Sequence, residues 1–113
     1  MPYISVTTSK ELTGVERESI RRELGVLIST IPGKSESVLM IDIMDGHDMY
    51  FAGERRVCAY LNVALYTAAP FAAKSEFAGA VCEMLEQEAG IPIENIYLTF
   101  SEYPNWCSGG SLK

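Results

Sequence analysis

Pro2 is the residue of this chain whose position offers the most specific chemistry. It directly follows Met1 and opens a strand-like segment over residues 3–7. Inside a chain the proline nitrogen is an amide, but removal of Met1 would make it a free secondary amine. A chain-terminal amine titrates at about pH 7.7–8.0, so a modest fall in its pKa leaves it largely neutral near pH 7. Pro2 is therefore a candidate base or nucleophile; the alternative is that it only permits Met1 removal and begins a disordered tail.

The size and charge of the chain limit its class. Its 113 residues predict one domain over residues 1–113, and a hydrophobic content of 48% argues against general disorder. The formal net charge of −6 gives a field that repels nucleic acid and anionic membranes, so neither is expected as a partner. The first residues lack the basic and apolar regions of a secretory signal, and a cysteine content that suggests no disulfide framework makes a cytoplasmic location the default expectation.

The cysteines and the single histidine predict neither a metal site nor a disulfide framework. Cys58, Cys82 and Cys107 are odd in number and widely spaced, and His47 is the only histidine. Cys58 and Cys82 lie in apolar stretches and are expected to be buried and reduced, whereas Cys107 is a candidate exposed thiol. His47 lies in a turn with acidic neighbours and is interpreted as a surface residue.

The spacing of apolar residues predicts two similar halves. A Thr-x-x-Glu capping box at Thr13 and Glu16 marks the start of the first helix, and Gly90 is placed to end the second. In order, the predicted elements are a strand over 2–8, a helix ending before 32–33, strands over 38–43, 49–51 and 57–66, a helix over 72–90, a strand over 96–100 and a short strand near 106–110.

This order predicts an α/β (α+β) fold of two β-α-β repeats that form a four-stranded mixed sheet with both helices on one face. The segments 38–43 and 57–66 read as apolar on both sides, and one chain of this length has no third layer to cover the second face. We therefore expect another copy of the chain to cover it, in a homo-oligomer whose sheets face inward. The short strands would extend a neighbour's sheet edge.

Four segments carry a resemblance to a known family. They are Pro2, Pro32-Gly33-Lys34, residues 49–53 and residues 90–97. In this order and spacing the chain resembles the macrophage migration inhibitory factor family of the tautomerase superfamily, over residues 2 to 106. The resemblance implies a homotrimer with sites at subunit interfaces. It also implies that the amino-terminal proline is the base of a cofactor-independent isomerase, a phenylpyruvate- or dopachrome-type tautomerase.

Such a site requires a neutral base and a nearby cation, and the candidates are Pro2 and Lys34. Pro2 acts as a base only when neutral, and both an apolar pocket and a nearby cation lower the pKa of an amine. Lys34 is the candidate cation and would also bind the substrate carboxylate; the alternative is a solvated loop lysine.

The other predicted substrate-binding residues follow from the resemblance. Tyr66 is placed to offer a backbone N–H, and Tyr97 would close the pocket from a neighbouring subunit, unless it is simply a core aromatic. Thr99 stands where the family commonly has an asparagine and keeps hydrogen-bonding capacity. Trp106 would form an aromatic wall, or alternatively anchor an interface.

Two functions remain open from the sequence. The first is a keto–enol tautomerase for small enolisable, phenylpyruvate-like keto acids. The second is a cytokine-like protein, secreted without a signal peptide, that binds a protein receptor and has a vestigial or secondary active site. A related dehalogenation or decarboxylation is a weaker third option, because the polar groups that would activate water are not evident.

Overall fold

The computed structural model describes all 113 residues, from Met1 to Lys113. The elements in chain order are β1 (Pro2–Thr8), α1 (Gly14–Leu27), β2 (Met40–Met44), β3 (Tyr50–Phe51), β4 (Glu54–Arg55), β5 (Ala59–Tyr66), α2 (Phe71–Ala89), β6 (Ile96–Tyr103), β7 (Cys107–Ser108) and β8 (Ser111–Leu112). Three short 3-10 turns cover Ile28–Thr30, Glu36–Val38 and Ile93–Asn95.

The sheet confirms the predicted pair of β-α-β repeats. Its strand order is β2-β1-β5-β6. β1 runs parallel to β2, and β5 runs parallel to β6, while β1 and β5 pair antiparallel and so join the two repeats into one mixed sheet. β3 with β4, and β7 with β8, form two separate short hairpins.

Local signals in the sequence set the helix ends. The Thr13 hydroxyl accepts a hydrogen bond from the Glu16 N–H at 3.1 Å, and the Glu16 carboxylate accepts one from the Thr13 N–H at 2.9 Å. These bonds satisfy two backbone donors that have no partner within the helix. Gly90 ends α2 with φ = 67°, a left-handed conformation that costs glycine little. Neither helix is long and apolar enough to cross a membrane.

The core lies between the two helices and one face of the sheet. Alternate side chains of β1 and β5 point toward the helices, and the helices contribute residues at helical spacing. The fully buried side chains include Ile4, Val6, Leu61, Val63, Leu65, Ile20, Leu24, Ile28, Phe77, Val81 and Leu85. Cys58 is buried as predicted, Cys82 is only half-buried, and Cys107 is exposed.

The second face of the sheet is mixed, with exposed Met40 and Tyr60 beside polar groups, so the expectation that 38–43 and 57–66 are apolar on both sides is only partly met. The Tyr3 hydroxyl donates to the Asp42 carboxylate at 3.1 Å. The Asn62 side-chain amide donates to the hydroxyls of Thr99 at 2.9 Å and of Ser101 at 3.0 Å. Strand alternation turns these polar residues away from the helices, so only the helix-facing side of the sheet is continuously apolar.

The capping box gives a test of the fold. We expect Thr13→Ala to lower the free energy of unfolding by about 1 kcal/mol, because the Glu16 N–H loses its acceptor at a helix start. Thr13→Ser keeps the hydroxyl and is the matched control, with a change well below that of the alanine variant. Urea denaturation at one protein concentration measures both; equal stability of the alanine and serine variants would contradict the assignment.

Candidate active site at the start of the first strand

Pro2 lies at the wall of a cavity at one end of the sheet. It is buried and pairs with Leu65 across the β1–β5 ladder. The cavity has a volume of about 350 Å³ and is bordered by residues 1–3, Val38, Met40 and residues 106–109. No acidic side chain is among these residues, and most of them are apolar, so the cavity favours neutral groups over isolated charges.

Lys34 reaches this end of the sheet from the loop after α1. Its ammonium group donates to the carbonyl oxygen of Tyr66 at 2.7 Å. Gly33 turns the chain at φ = 77°, and the Lys34 backbone N–H donates to the Ile31 carbonyl at 3.1 Å. This bond fixes the backbone from which the Lys34 side chain extends. One bond to Tyr66 leaves two ammonium protons of Lys34 for other acceptors.

Met1, Tyr66 and Lys34 meet at the amino terminus. The Tyr66 N–H donates to the Met1 carbonyl at 3.4 Å, while the Tyr66 carbonyl accepts from Lys34. Burial lowers the pKa of the Met1 amine, and the positive charges of Lys34 and Lys113 lower it further. This corner of the molecule therefore disfavours a protonated amine, as a site for a neutral base requires.

Trp106 borders the same cavity as Pro2. It is half-buried, and its ring centroid lies 6.2 Å from that of Tyr103. One chain thus brings together four of the predicted site residues: Pro2, Lys34, Tyr66 and Trp106.

Tyr97 and Thr99 lie far from Pro2 within one chain. Tyr97 pairs with Tyr60, which pairs with Thr7, five residues along β1 from Pro2. At ~3.3 Å per residue this separation is about 17 Å. Tyr97 is 64% exposed, and its ring packs 5.3 Å from the ring of Phe51.

The Thr99 hydroxyl is already engaged on the polar face of the sheet. It lies 2.6 Å from the Tyr60 hydroxyl and accepts from Asn62. Neither Thr99 nor Tyr97 can therefore serve the Pro2 cavity of its own chain.

A loop that sequence reasoning missed holds Tyr66 in place. The Thr67 N–H donates to the Tyr103 carbonyl at 2.8 Å, with Thr67 at φ = 68°, which is unusual for a β-branched residue. The Glu102 carboxylate accepts from the Ala69 N–H at 2.6 Å and pairs with Lys74 at 2.9 Å. These contacts join residues about 30 positions apart, and no local pattern signals them.

His47 is exposed, and it borders a second cavity of about 370 Å³ at the other end of β1. The backbone N–H of His47 donates to the carbonyl of Thr8 at 3.1 Å. Arg55 and Asp48 in this cavity pair with each other at 3.1 Å, so their charges largely cancel. This cavity is slightly larger than the Pro2 cavity, but it lacks a base held next to an unpaired cation. No group of three or more His, Cys, Asp or Glu side chains is placed to hold a metal ion.

The Glu102 contacts predict a pH-dependent loss of stability. The Ala69 N–H, then Lys74 and Lys34, hold the pKa of Glu102 below its ordinary value. A carboxylate with a lowered pKa stabilises the fold fully above its unfolded pKa of about 4.3, and that contribution disappears as the pH falls through the folded value. We expect Glu102→Gln to cost about 1–2 kcal/mol of unfolding free energy at pH 7 and progressively less below pH 4.

Denaturant titrations between pH 7 and pH 3.5 measure this effect. Glu88→Gln, which removes an exposed carboxylate of α2, is the matched control and should change stability little at any pH. A Glu102→Gln cost that is independent of pH would contradict the role given to the charge.

A comparison with sequence models of protein families identifies one family. A sequence model described as macrophage migration inhibitory factor (MIF) matches residues 1–111. No curated protein matches the chain by sequence.

Solved structures share the fold over nearly the whole chain. MIF2 of Leishmania major is 21% identical, with 100% of this chain and 97% of that chain covered and a TM-score of 0.92. A macrophage migration inhibitory factor homologue of Prochlorococcus marinus is 26% identical, with 97% of both chains covered and a TM-score of 0.87. The protein Pt0534, inactivated by 2-oxo-3-pentynoate, is 14% identical, with 96% of this chain and 93% of that chain covered and a TM-score of 0.85.

Proposed function

The chain belongs to the macrophage migration inhibitory factor family, and on that basis we propose that it is a keto–enol tautomerase for small 2-oxo acids, with the amine of Pro2 as the base. The observation that carries the proposal is the placement of Lys34 against the Tyr66 carbonyl, at 2.7 Å, beside the amino terminus. This contact puts a positive charge where a 2-oxo acid needs one and where a chain-terminal base needs its pKa lowered.

Removal of Met1 would create the base and free a hydrogen-bond donor in one step. Pro2 would gain a basic nitrogen, and the Tyr66 N–H would lose its acceptor, the Met1 carbonyl. The freed N–H would then face the space that Met1 occupies. A backbone donor at this point suits an oxygen that gains negative charge during the reaction.

Burial favours a neutral Pro2 amine. The Met1 amine, which is only partly buried, already has a lowered pKa because of burial and of Lys34. Pro2 is buried, at a position of β1 that pairs with Leu65 of β5. The same two causes would act at least as strongly on its nitrogen, which would then be neutral near pH 7 and able to accept a proton.

The proposed reaction moves one proton and needs no cofactor. Pro2 takes a proton from the carbon next to the ketone, and the C–H electron pair forms the C=C bond as the carbonyl oxygen becomes an enolate. Lys34 holds the carboxylate, and the Tyr66 N–H stabilises the enolate oxygen. The protonated Pro2 amine then returns its proton to that oxygen. The reverse sequence converts enol to ketone.

Apolar residues of the cavity suit an aromatic side group on the substrate. Val38 and Met40 are 53% and 66% exposed at the cavity, and Trp106 adds an aromatic surface. A phenylpyruvate-like ring would bury part of this area. The inactivation of Pt0534 by 2-oxo-3-pentynoate, itself a 2-oxo acid, supports this substrate class for the fold.

The site would be completed by a neighbouring subunit of a homotrimer. Tyr97 is largely exposed and lies two strands away from β1 and about 17 Å farther along the strand direction than Pro2, at ~3.3 Å per residue over five residues. A neighbouring copy that covers the open side of the cavity could place its Tyr97 and Thr99 there. The arrangement of Lys34 and Tyr66 at this corner is the observation that favours the enzyme over the receptor-binding alternative.

The base is tested by Pro2→Gly. We expect kcat/KM for phenylpyruvate to fall by roughly 100-fold or more, which is the usual contribution of a positioned general base. Pro92→Gly, a proline outside the cavity, is the matched control and should keep activity. Intact-mass measurement of the purified protein must show that Met1 is absent. An active enzyme that retains Met1, or unchanged turnover by Pro2→Gly, would contradict the role of Pro2 as the base.

The cation is tested by Lys34→Gln. Loss of a charge-assisted contact with the carboxylate should raise KM by roughly 10- to 100-fold. Loss of the positive charge should also raise the pKa of Pro2, so the acid limb of kcat/KM should move to higher pH. Lys34→Arg keeps the charge and should leave that limb near its original position. A limb that does not move in Lys34→Gln would contradict the role of Lys34 in lowering the pKa of the base.

A further inference from the structure

Thr67 adopts a backbone conformation that this chain elsewhere assigns mostly to glycine. All but two of the residues with a positive φ are glycines, and the two others are Ala52 and Thr67. Ala52 and Gly53 form the two-residue turn between β3 and β4, where a tight hairpin requires positive φ at both positions. Thr67, at φ = 68°, lies between β5 and α2, where no hairpin requires it. The conformation is strained for a β-branched residue and persists only where surrounding contacts hold it.

Hydrogen bonds at both ends of one peptide group hold Thr67 in this conformation. The peptide group between Tyr66 and Thr67 carries the Tyr66 carbonyl at one end and the Thr67 N–H at the other. The Lys34 ammonium group donates to the carbonyl at 2.7 Å, and the N–H donates to the Tyr103 carbonyl at 2.8 Å. Because a peptide group is planar, a flip that gives Thr67 an ordinary negative φ would turn the carbonyl away from Lys34 and the N–H away from Tyr103.

The chain is anchored on each side of this peptide group. Tyr66 pairs with Tyr103 at the end of the β5–β6 ladder, and the Ala69 N–H donates to the Glu102 carboxylate at 2.6 Å. The flanking backbone therefore has a defined path, and the direction of the Tyr66 carbonyl is set by the φ of Thr67 together with its two hydrogen bonds.

The direction of the Tyr66 carbonyl matters because it determines where the charge of Lys34 is held. A lysine side chain is long and flexible, so its ammonium group stays in one place only while an acceptor holds it. The acceptor here is the Tyr66 carbonyl, and the Tyr66 N–H donates to the Met1 carbonyl at 3.4 Å. In agreement with this placement, the charge of Lys34 contributes, after burial, to the lowered pKa of the Met1 amine.

We propose that Thr67 is a positioning residue of the active site, whose left-handed backbone aims the Tyr66 carbonyl at Lys34 and so holds the ammonium group at the amino-terminal corner. This inference rests on the proposed tautomerase function and concerns the same site. Thr67 acts through the Tyr66 carbonyl and Lys34, and its role belongs to its backbone rather than to its exposed side chain.

Two substitutions of Thr67 separate backbone from side chain. Thr67→Pro fixes φ at about −65° and removes the N–H, while Tyr66, already in a strand, has the extended conformation that a residue before proline needs. We expect KM for phenylpyruvate to rise roughly tenfold and the acid limb of kcat/KM to move to higher pH, as in Lys34→Gln. Thr67→Gly adopts a positive φ without strain and should keep that limb near its original position.

Two further measurements show whether the effect runs through Lys34. In a Lys34→Gln background, Thr67→Pro should change KM by less than about twofold, because the lysine through which Thr67 acts is already absent. NMR titration of the chain-terminal amine should show the same upward shift in Thr67→Pro without any need for turnover. Ala68→Pro, which keeps the Thr67 N–H but restricts Thr67 to extended conformations, should give the same shift and serves if Thr67→Pro does not fold.

The outcomes separate this inference from the function on which it rests. Equal losses in Thr67→Gly and Thr67→Pro would assign the effect to the side chain and overturn the role of the backbone. An amine titration that both proline variants leave unmoved, or an undiminished effect of Thr67→Pro in the Lys34→Gln background, would also overturn it. If the unmodified protein does not turn over phenylpyruvate, the tautomerase function fails and Thr67 has no catalytic site to position, whatever the titration shows.

Discussion

The antiparallel pairing of β1 with β5 is the constraint on which the site depends. It joins the two β-α-β repeats, and its register sets Pro2 opposite Leu65, so that the amino terminus lies beside the end of β5. Tyr66 directly follows Leu65. Its N–H donates to the Met1 carbonyl, and its carbonyl accepts from the ammonium group of Lys34. A shift of one residue would turn every side chain of β1 to the opposite face and break the alignment of Pro2 with the end of β5.

Electrostatics and burial act in the same direction at this junction. Burial alone disfavours a protonated amine, and a neighbouring ammonium group disfavours it further, so one lysine can both lower the pKa of a base and attract an anionic substrate. Lys34 can do so because its partner is a neutral carbonyl, which leaves its charge uncancelled. Arg55 at the other end of β1 is paired with Asp48, and that cavity consequently lacks the same chemistry.

The polar groups on the second face of the sheet weaken one argument for the proposed oligomer. A fully apolar second face would have to be covered by another copy of the chain. Instead, Asn62, Thr99 and Ser101 form a hydrogen-bonded network on this face. The stronger argument for the proposal is the separation of Tyr97 and Thr99 from Pro2 within one chain. The exposed Tyr97 lies at the far end of its own sheet, and the Pro2 cavity is open beside the exposed Met40. Contact between these two regions of different copies would bury apolar area at both.

The sequence by itself determined the two helices, the four strands of the main sheet and their order, and it singled out Pro2, but it did not predict the hairpin strands β4 and β8. Alternating and helical apolar spacing, the capping box at Thr13 and the glycine at position 90 are local signals, and each is read within a few residues of where it acts. Only the tertiary structure decided that Lys34 bonds to Tyr66, 32 residues away, and that Lys113 pairs with Trp106. It also decided which face of the sheet is polar. Such contacts depend on strand register and loop path, and periodicity along the chain does not specify either of them.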